Sequence, residues 1–118
     1  MPHGYSGHAH ARATGKLLLA LTDAETRESH LAPHLLVPVT SRTVIDRNSL
    51  LAQLKRIADQ GYAVEEEEFS IGLCCLAVPV EGFEGKVALG ISVPTERFRK
   101  QFENHLEALK TIARMTED

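Results

Sequence analysis

Apolar residues recur along this chain with two periods, one close to four and one of two, and the switches between them outline its elements. Residues 10–21 read as a helix, with Ala13, Leu17, Ala20 and Leu21 at helical spacing. Thr22-Asp23-Ala24-Glu25 then shows the capping-box pattern that starts a second, short helix, closed by Pro33. Residues 35–39, between Pro33 and Pro38, read as a short extended segment. Leu50, Leu51, Leu54, Ile57 and Ala58 fall on one face of a third helix, with Asn48 as its N-cap and Gly61 as its stop. The period then shortens. Residues 62–66, 73–80 and 87–93 read as strands, the last two joined through Glu81-Gly82-Phe83-Glu84-Gly85 as an antiparallel hairpin. Pro94 ends the last strand, and Thr95 is the expected cap of a single final helix. The stripe Phe98, Phe102, Leu106, Leu109 and Ala113 along that helix is expected to be core or dimer packing, or else the seat of a partner helix.

This order predicts an α+β fold with helices on one side of a twisted antiparallel sheet. Three strands are few for such a sheet, and an unpaired edge is a pairing liability. That points to a further N-terminal portion or to a partner chain. Residues 1–9, which open MPHGYSG without periodicity, read as a flexible leader, and residues 10–118 as one domain or a large part of one.

Composition narrows the classes. The chain has 118 residues, is 43% hydrophobic and has no Trp, so aliphatic side chains must fill the core. A net charge of −3 gives no general attraction to phosphate, and the chain alone is expected to be a poor DNA binder. No signal peptide is visible, and the longest purely apolar run, residues 17–21, is far too short for a bilayer. The two cysteines, Cys74 and Cys75, are adjacent, which strains a mutual disulfide, so a reduced, cytoplasmic setting fits best.

Candidate chemistry concentrates on the hairpin. Val87, Leu89, Ile91 and Val93 share one face of its second strand, while Ala88, Gly90 and Ser92 share the other. With Cys75 and Ala77 alongside, that small-residue face leaves volume for a closely approaching helix or for a small ligand. Ala13-Thr14-Gly15-Lys16 opens a helix whose free N–H groups suit an anion. It is not a phosphate-binding P-loop, because Leu17 stands where that motif needs Ser or Thr. In the run Glu65–Glu68, alternation along a strand would leave one pair wet; Glu65 is the pocket candidate, and Glu67 and Glu68 are expected to orient backbone or pair with Arg or Lys. Lys16 reads equally as a structural ion pair or a ligand contact. His3, His8, His10, His30 and His34 complete no zinc pattern and are expected to be exposed, with His10 supporting the helix start. No metal or cofactor is expected.

These motifs, in this order, resemble the C-terminal effector-binding domain of the IclR family of bacterial transcriptional regulators. His10-Ala11-Arg12-Ala13-Thr14-Gly15-Lys16-Leu17-Leu18-Leu19-Ala20 is close to the family's H-A-[ST]-A-x-G-K-A-x-L-A, with Arg12 and Leu17 as departures. Thr40, Thr43 and Val44 match its T-x-x-T-[IL] segment, and residues 61–80 match G-Y-[AS]-x-[DE]-x-E-E-x-x-x-G-x-x-C-[IL]-A-x-P-[VI] almost throughout. Ile91-Ser92-Val93-Pro94 corresponds to I-S-[VIL]-S. The resemblance implies a GAF-like fold and a small organic acid effector. In glyoxylate- and pyruvate-responsive members the contacts fall on the positions of Ala13, Thr14, Glu65, Cys75, Ser92 and Pro94; other members bind aromatic or sugar acids there. Pro94 departs from the pattern, offering neither hydroxyl nor N–H.

The resemblance further implies a homodimer or homotetramer that contacts DNA only through a winged helix-turn-helix, which this sequence lacks, as it lacks the family's first strands. No catalysis is expected. Two other readings stand beside sensing: a module that only mediates oligomerisation, and a small enzyme using Cys75, for which no neighbouring His-plus-carboxylate pattern supplies a base.

Overall fold

The computed structural model describes residues 8–115. A 3-10 turn over Ala9–Ala11 leads into α1 (Ala13–Leu21), followed by α2 (Ala24–Ser29), a second 3-10 turn over Pro33–Leu35 and α3 (Arg47–Gln60). Three strands come next, β1 (Ala63–Glu66), β2 (Leu73–Pro79) and β3 (Ala88–Pro94), then α4 (Thr95–Lys100) and α5 (Phe102–Met115). The sheet is antiparallel with order β1-β2-β3. The proposed leader residues 1–7, including His3, lie outside the described residues.

The helices pack on both faces of the sheet, not on one. Ala63, Ala77 and Cys75 meet α1, which in turn meets α3 through Leu50, Leu54 and Ile57. Cys74, Leu76, Val78 and Val93 on the opposite face meet Phe98 of α4 and Leu106, Leu109 and Ala113 of α5. The central strand is therefore apolar on both faces and reads as a near-continuous run without alternation. Helix α1 lies between α3 and the sheet, and Leu17, Leu18 and Leu19, on three different sides of it, are all buried. A helix apolar all round is a buried helix. Each such leucine contributes about 1.5–3 kcal/mol on leaving water.

Several sequence expectations shift at the ends of elements. Helix α1 begins at Ala13, because Arg12 is extended (φ −109°, ψ 143°) and breaks the run from His10. The cap of α2 is Asp23, whose carboxylate accepts from Thr26 N at 2.7 Å. Asp46, not Asn48, caps α3, accepting from Ser49 N at 2.8 Å. A carboxylate two residues further out does the work of the cap expected at Asn48, and both Asp pKa values fall because of these backbone hydrogen bonds. Gly61 ends α3 as expected, with φ 85°. Residues 35–39 form no strand. The single final helix is two: Gln101 (φ −125°) interrupts it, and Phe98 and Phe102 stack edge-to-face at 5.4 Å across the break, so the apolar stripe continues.

Candidate effector site

The antiparallel register sets Glu65, Cys75 and Ser92 opposite one another in a single row across the three strands. All three point to the α1 side, because Cys75 belongs with the residues that pack there. The start of α1 overhangs the row. Behind it Gly90 allows the close approach: a Cβ there would fall 2.7 Å from Thr14 Cγ2. The small-residue face thus serves both readings offered by the sequence. Under α1 it admits the helix, and over Cys75 and Ser92 it leaves a hollow of about 210 Å³.

Ala13, Thr14, Glu65, Cys75 and Ser92 all line this hollow. Pro94 does not. It stands one row further on, opposite Leu73, where it caps α4 and borders a separate surface depression with Arg97 and Lys100. Gly90, part of the small-residue face, lines it too, and four further lining residues were not foreseen: Arg12, Phe69, Leu76 and Ile91. The Arg12 guanidinium lies 4.1 Å from the centre of the Phe69 ring and so carries a positive charge at the rim. Arg12 was visible in the sequence only as a departure from the family pattern.

The polar groups of the hollow are unequal. At the start of α1, Arg12 supplies no side-chain cap, so the first amides of the helix lack that acceptor. Glu65 is fully buried. Its Oε2 accepts from Glu68 N at 2.7 Å and Phe69 N at 3.3 Å, but Oε1 is buried with no hydrogen-bond partner. Burial raises the Glu65 pKa, against the opposing pull of the Cys75 thiol and the two amides. Cys75 Sγ is 3.1 Å from Ser92 Oγ, and burial pushes its pKa up to about 11.

A thiol so far above neutrality is a poor nucleophile. Alkylation by iodoacetamide at pH 7.5 should proceed at Cys75 roughly 100-fold more slowly than at a free cysteine, in line with the thiolate fraction. Peptide mapping checks this, and labelling at the rate of a free thiol would restore a role as nucleophile. Cys74 points to the opposite face, is fully buried and approaches Thr95 Oγ1 at 3.5 Å, which fits the structural role expected of it.

The other glutamates depart from simple alternation, because the strand ends at Glu66 and Glu67 takes a left-handed conformation (φ 58°). Glu66 is exposed, while Glu68 turns inward beside Glu65. Glu67 accepts from Thr95 Oγ1, Gly72 N and Arg42, and these contacts, the Thr95 hydroxyl first, lower its pKa. Glu68 binds Lys16 Nζ at 2.6 Å and Val44 N at 3.1 Å. Lys16 also donates to Gln53 Oε1 at 2.5 Å and does not line the hollow, so it is the structural ion pair. His10 is buried, contrary to the exposure expected of it, and its Nε2 lies 2.8 Å from Val37 O, which ties down the turn ahead of α1. Among the described residues, no three of His, Cys, Asp and Glu stand where they could hold a metal ion.

Residues 2–117 match the family model of the bacterial transcriptional regulator IclR C-terminal domain. This chain belongs to the IclR family. Among its relatives, the HTH-type transcriptional regulator KdgR of Dickeya chrysanthemi is 38% identical over 112 residues, covering 92% of this chain and 37% of the relative. The chain thus spans less than half the length of that IclR regulator. The crystal structure of the C-terminal domain of Escherichia coli KdgR superposes with a TM-score of 0.77 at 35% identity, over 90% of this chain and 66% of that one. A double mutant of the PobR inducer-binding domain from Acinetobacter, solved with 3-hydroxybenzoic acid, gives a TM-score of 0.82 at 28% identity, over 93% and 65%. The α+β fold is therefore that of IclR C-terminal domains.

Proposed function

We propose that this chain senses a small hydroxylated carboxylic acid and passes the occupancy of its hollow to a DNA-binding part of the full regulator. The observation that carries the reading is the unpartnered Oε1 of Glu65, buried in the same row as Cys75 and Ser92. A buried acceptor left without a donor is costly, about 1–3 kcal/mol, and a ligand hydroxyl removes that cost. The amides opening α1, with Ala13 and Thr14 at the hollow, suit the carboxylate at the other end of such a molecule, and Arg12 adds positive charge. At about 210 Å³ the hollow is smaller than pockets for drug-sized molecules, roughly 300–1,000 Å³, so a compact acid fits best. PobR, the structural relative solved with 3-hydroxybenzoic acid, supports this ligand class.

In this reading no covalent chemistry occurs. The ligand acts by binding one of two arrangements of the regulator more tightly. The working protein is a cytoplasmic homo-oligomer, DNA is held by a helix-turn-helix part outside these 118 residues, and no cofactor is needed. Calorimetric titration tests the polarity of the site: 3-hydroxybenzoate should bind roughly 10-fold or more tightly than benzoate, about the value of one buried hydrogen bond. Equal affinities would remove Glu65 from ligand selection.

A further inference from the structure

We propose that the outer groove between α3 and β1 takes a short extended peptide in which acidic and apolar residues alternate. The inference stands apart from the sensing reading. The groove has a volume of about 580 Å³ and shares no lining residue with the hollow. One wall is a single face of α3, on which Gln53, Arg56, Ile57 and Gln60 recur at helical spacing. From the strand side only alternate residues reach it: Tyr62, Val64 and Glu66. Along β1 these are the residues whose backbone faces out. Ala63 and Glu65 pair with Ala77 and Cys75, and Glu67 N donates inward to Leu73 O at 3.0 Å, so alternation turns the N–H and C=O groups of Val64 and Glu66 into the groove. A helix face beside an open strand edge admits one further strand, held by main-chain hydrogen bonds and selected through its alternate side chains.

Both ends of this edge are stopped. Gln60 Nε2 donates to Tyr62 O at 2.8 Å, and beyond Glu66 the left-handed Glu67 (φ 58°) turns the chain away. The edge suits a short segment and is too brief to extend the sheet with another long strand. The two sides of a strand seated there meet different chemistry. On the α3 side stand donors. Arg56 has no carboxylate partner among the described residues, and Arg42 pairs with Glu67 through a single nitrogen. Gln53 adds an amide of fixed orientation: the Lys16 ammonium can only donate, so it takes Gln53 Oε1 and leaves the NH₂ turned away from it. Glu68, the carboxylate lining this side, is already neutralised by Lys16 at 2.6 Å. On the α5 side stand Tyr62, against Phe102, and half-buried Val64. Successive side chains of a strand point to opposite sides, so a fitting segment turns Asp or Glu toward α3 and apolar residues toward α5. Glu66, exposed on the α5 side, repels an acid there.

Amide NMR of the whole chain, titrated with capped pentapeptides, tests the groove. A peptide alternating Val and Glu should shift the Val64 and Glu66 amides and slow their hydrogen exchange, while Thr14 and Ser92 stay unmoved. Methylating the peptide nitrogens that pair with the edge keeps every side chain and should weaken binding at least roughly 10-fold. Arg56→Glu should weaken the Val–Glu peptide roughly 10-fold and strengthen its Val–Lys counterpart. Glutarate serves as the free-anion control and should leave both amides in place. No shift at millimolar Val–Glu peptide would overturn the proposal. So would equal binding of the methylated peptide, or an equal response to glutarate, which would make the groove a plain anion site. Protection of Val64 and Glu66 in the free chain that grows with its concentration would overturn it as well, by seating a second copy there.

Discussion

Replacing Glu68 by alanine should lower the free energy of unfolding by about 3–5 kcal/mol, a large part of the roughly 5–15 kcal/mol that holds a small domain together. Lys16 sits in the middle of the most buried helix, between α3 and the sheet, and is 0% exposed. Its ammonium is tolerated there because Glu68 and Gln53 meet it at 2.6 and 2.5 Å. The Glu68 carboxylate in turn accepts from Val44 N, while its backbone carbonyl takes the Thr43 hydroxyl, so Glu68 ties α1 to the segment ahead of α3. Without Glu68 the Lys16 charge is buried with a single neutral partner. Burial already lowers the Lys16 pKa, and the loss of Glu68 lowers it further.

The sign of the pH effect follows. A lysine whose pKa is lower folded than unfolded binds more protons in the unfolded chain, so stability rises with pH up to about 10.4, the unfolded value. The Glu68→Ala deficit should therefore shrink between neutrality and pH 10. Replacing both members by Met should recover most of the loss, since a buried ion pair exchanged for apolar packing is often neutral or better. Urea unfolding across pH measures all three. A deficit below about 1 kcal/mol at pH 7 would mean that the pair behaves as a surface ion pair.

The second large effect belongs to Glu65. Its pKa is raised by burial, and an anionic ligand entering the hollow raises the cost of ionising it again. The affinity for a carboxylate ligand should fall as pH rises through the raised Glu65 value, in a range above the ligand's own titration near 4. Glu65→Gln keeps the shape and the hydrogen-bonding ends but cannot ionise, so its affinity should be flat over the same range. Glu65→Leu should lose roughly 10- to 100-fold, because the ligand hydroxyl then faces an apolar wall. In the empty protein the same group works against the fold: the protonated form is favoured when buried, so the Glu65 contribution to stability falls as pH rises through its folded value. Calorimetry at several pH values measures the affinities. A pH-dependent Glu65→Gln would show that another group carries the titration.

The residues around the hollow were easier to place from the sequence than the packing around them. Glu65, Cys75 and Ser92 could be placed on one face because side chains on strands alternate, and the register then joins them in one row. Ala13 and Thr14 were legible as the start of a helix. Pro94 was placed by family pattern alone, and it stands on β3 opposite Leu73, one row beyond the hollow. The two-sided packing was harder to read. Cys74, Leu76 and Val78 form an apolar face that signals a second layer, but a strand covered on both faces loses its alternation. The break at Gln101 left no trace, because the Phe98 to Phe102 step matches helical spacing whether or not the helix is continuous. The inward turn of Glu68 depends on the left-handed Glu67, a conformation that a non-glycine residue rarely announces in sequence.

The most direct test is an amide NMR titration of the whole chain with 3-hydroxybenzoate and with smaller hydroxy acids. A ligand held between α1 and the Glu65–Cys75–Ser92 row should shift the amides of Ala13, Thr14, Cys75 and Ser92 first, and should leave unmoved Arg42 and Arg56, which line a separate outer groove between α3 and β1. Shifts confined to that outer groove, or a dispersed spectrum that responds to none of these acids, would contradict a sensor built on this hollow.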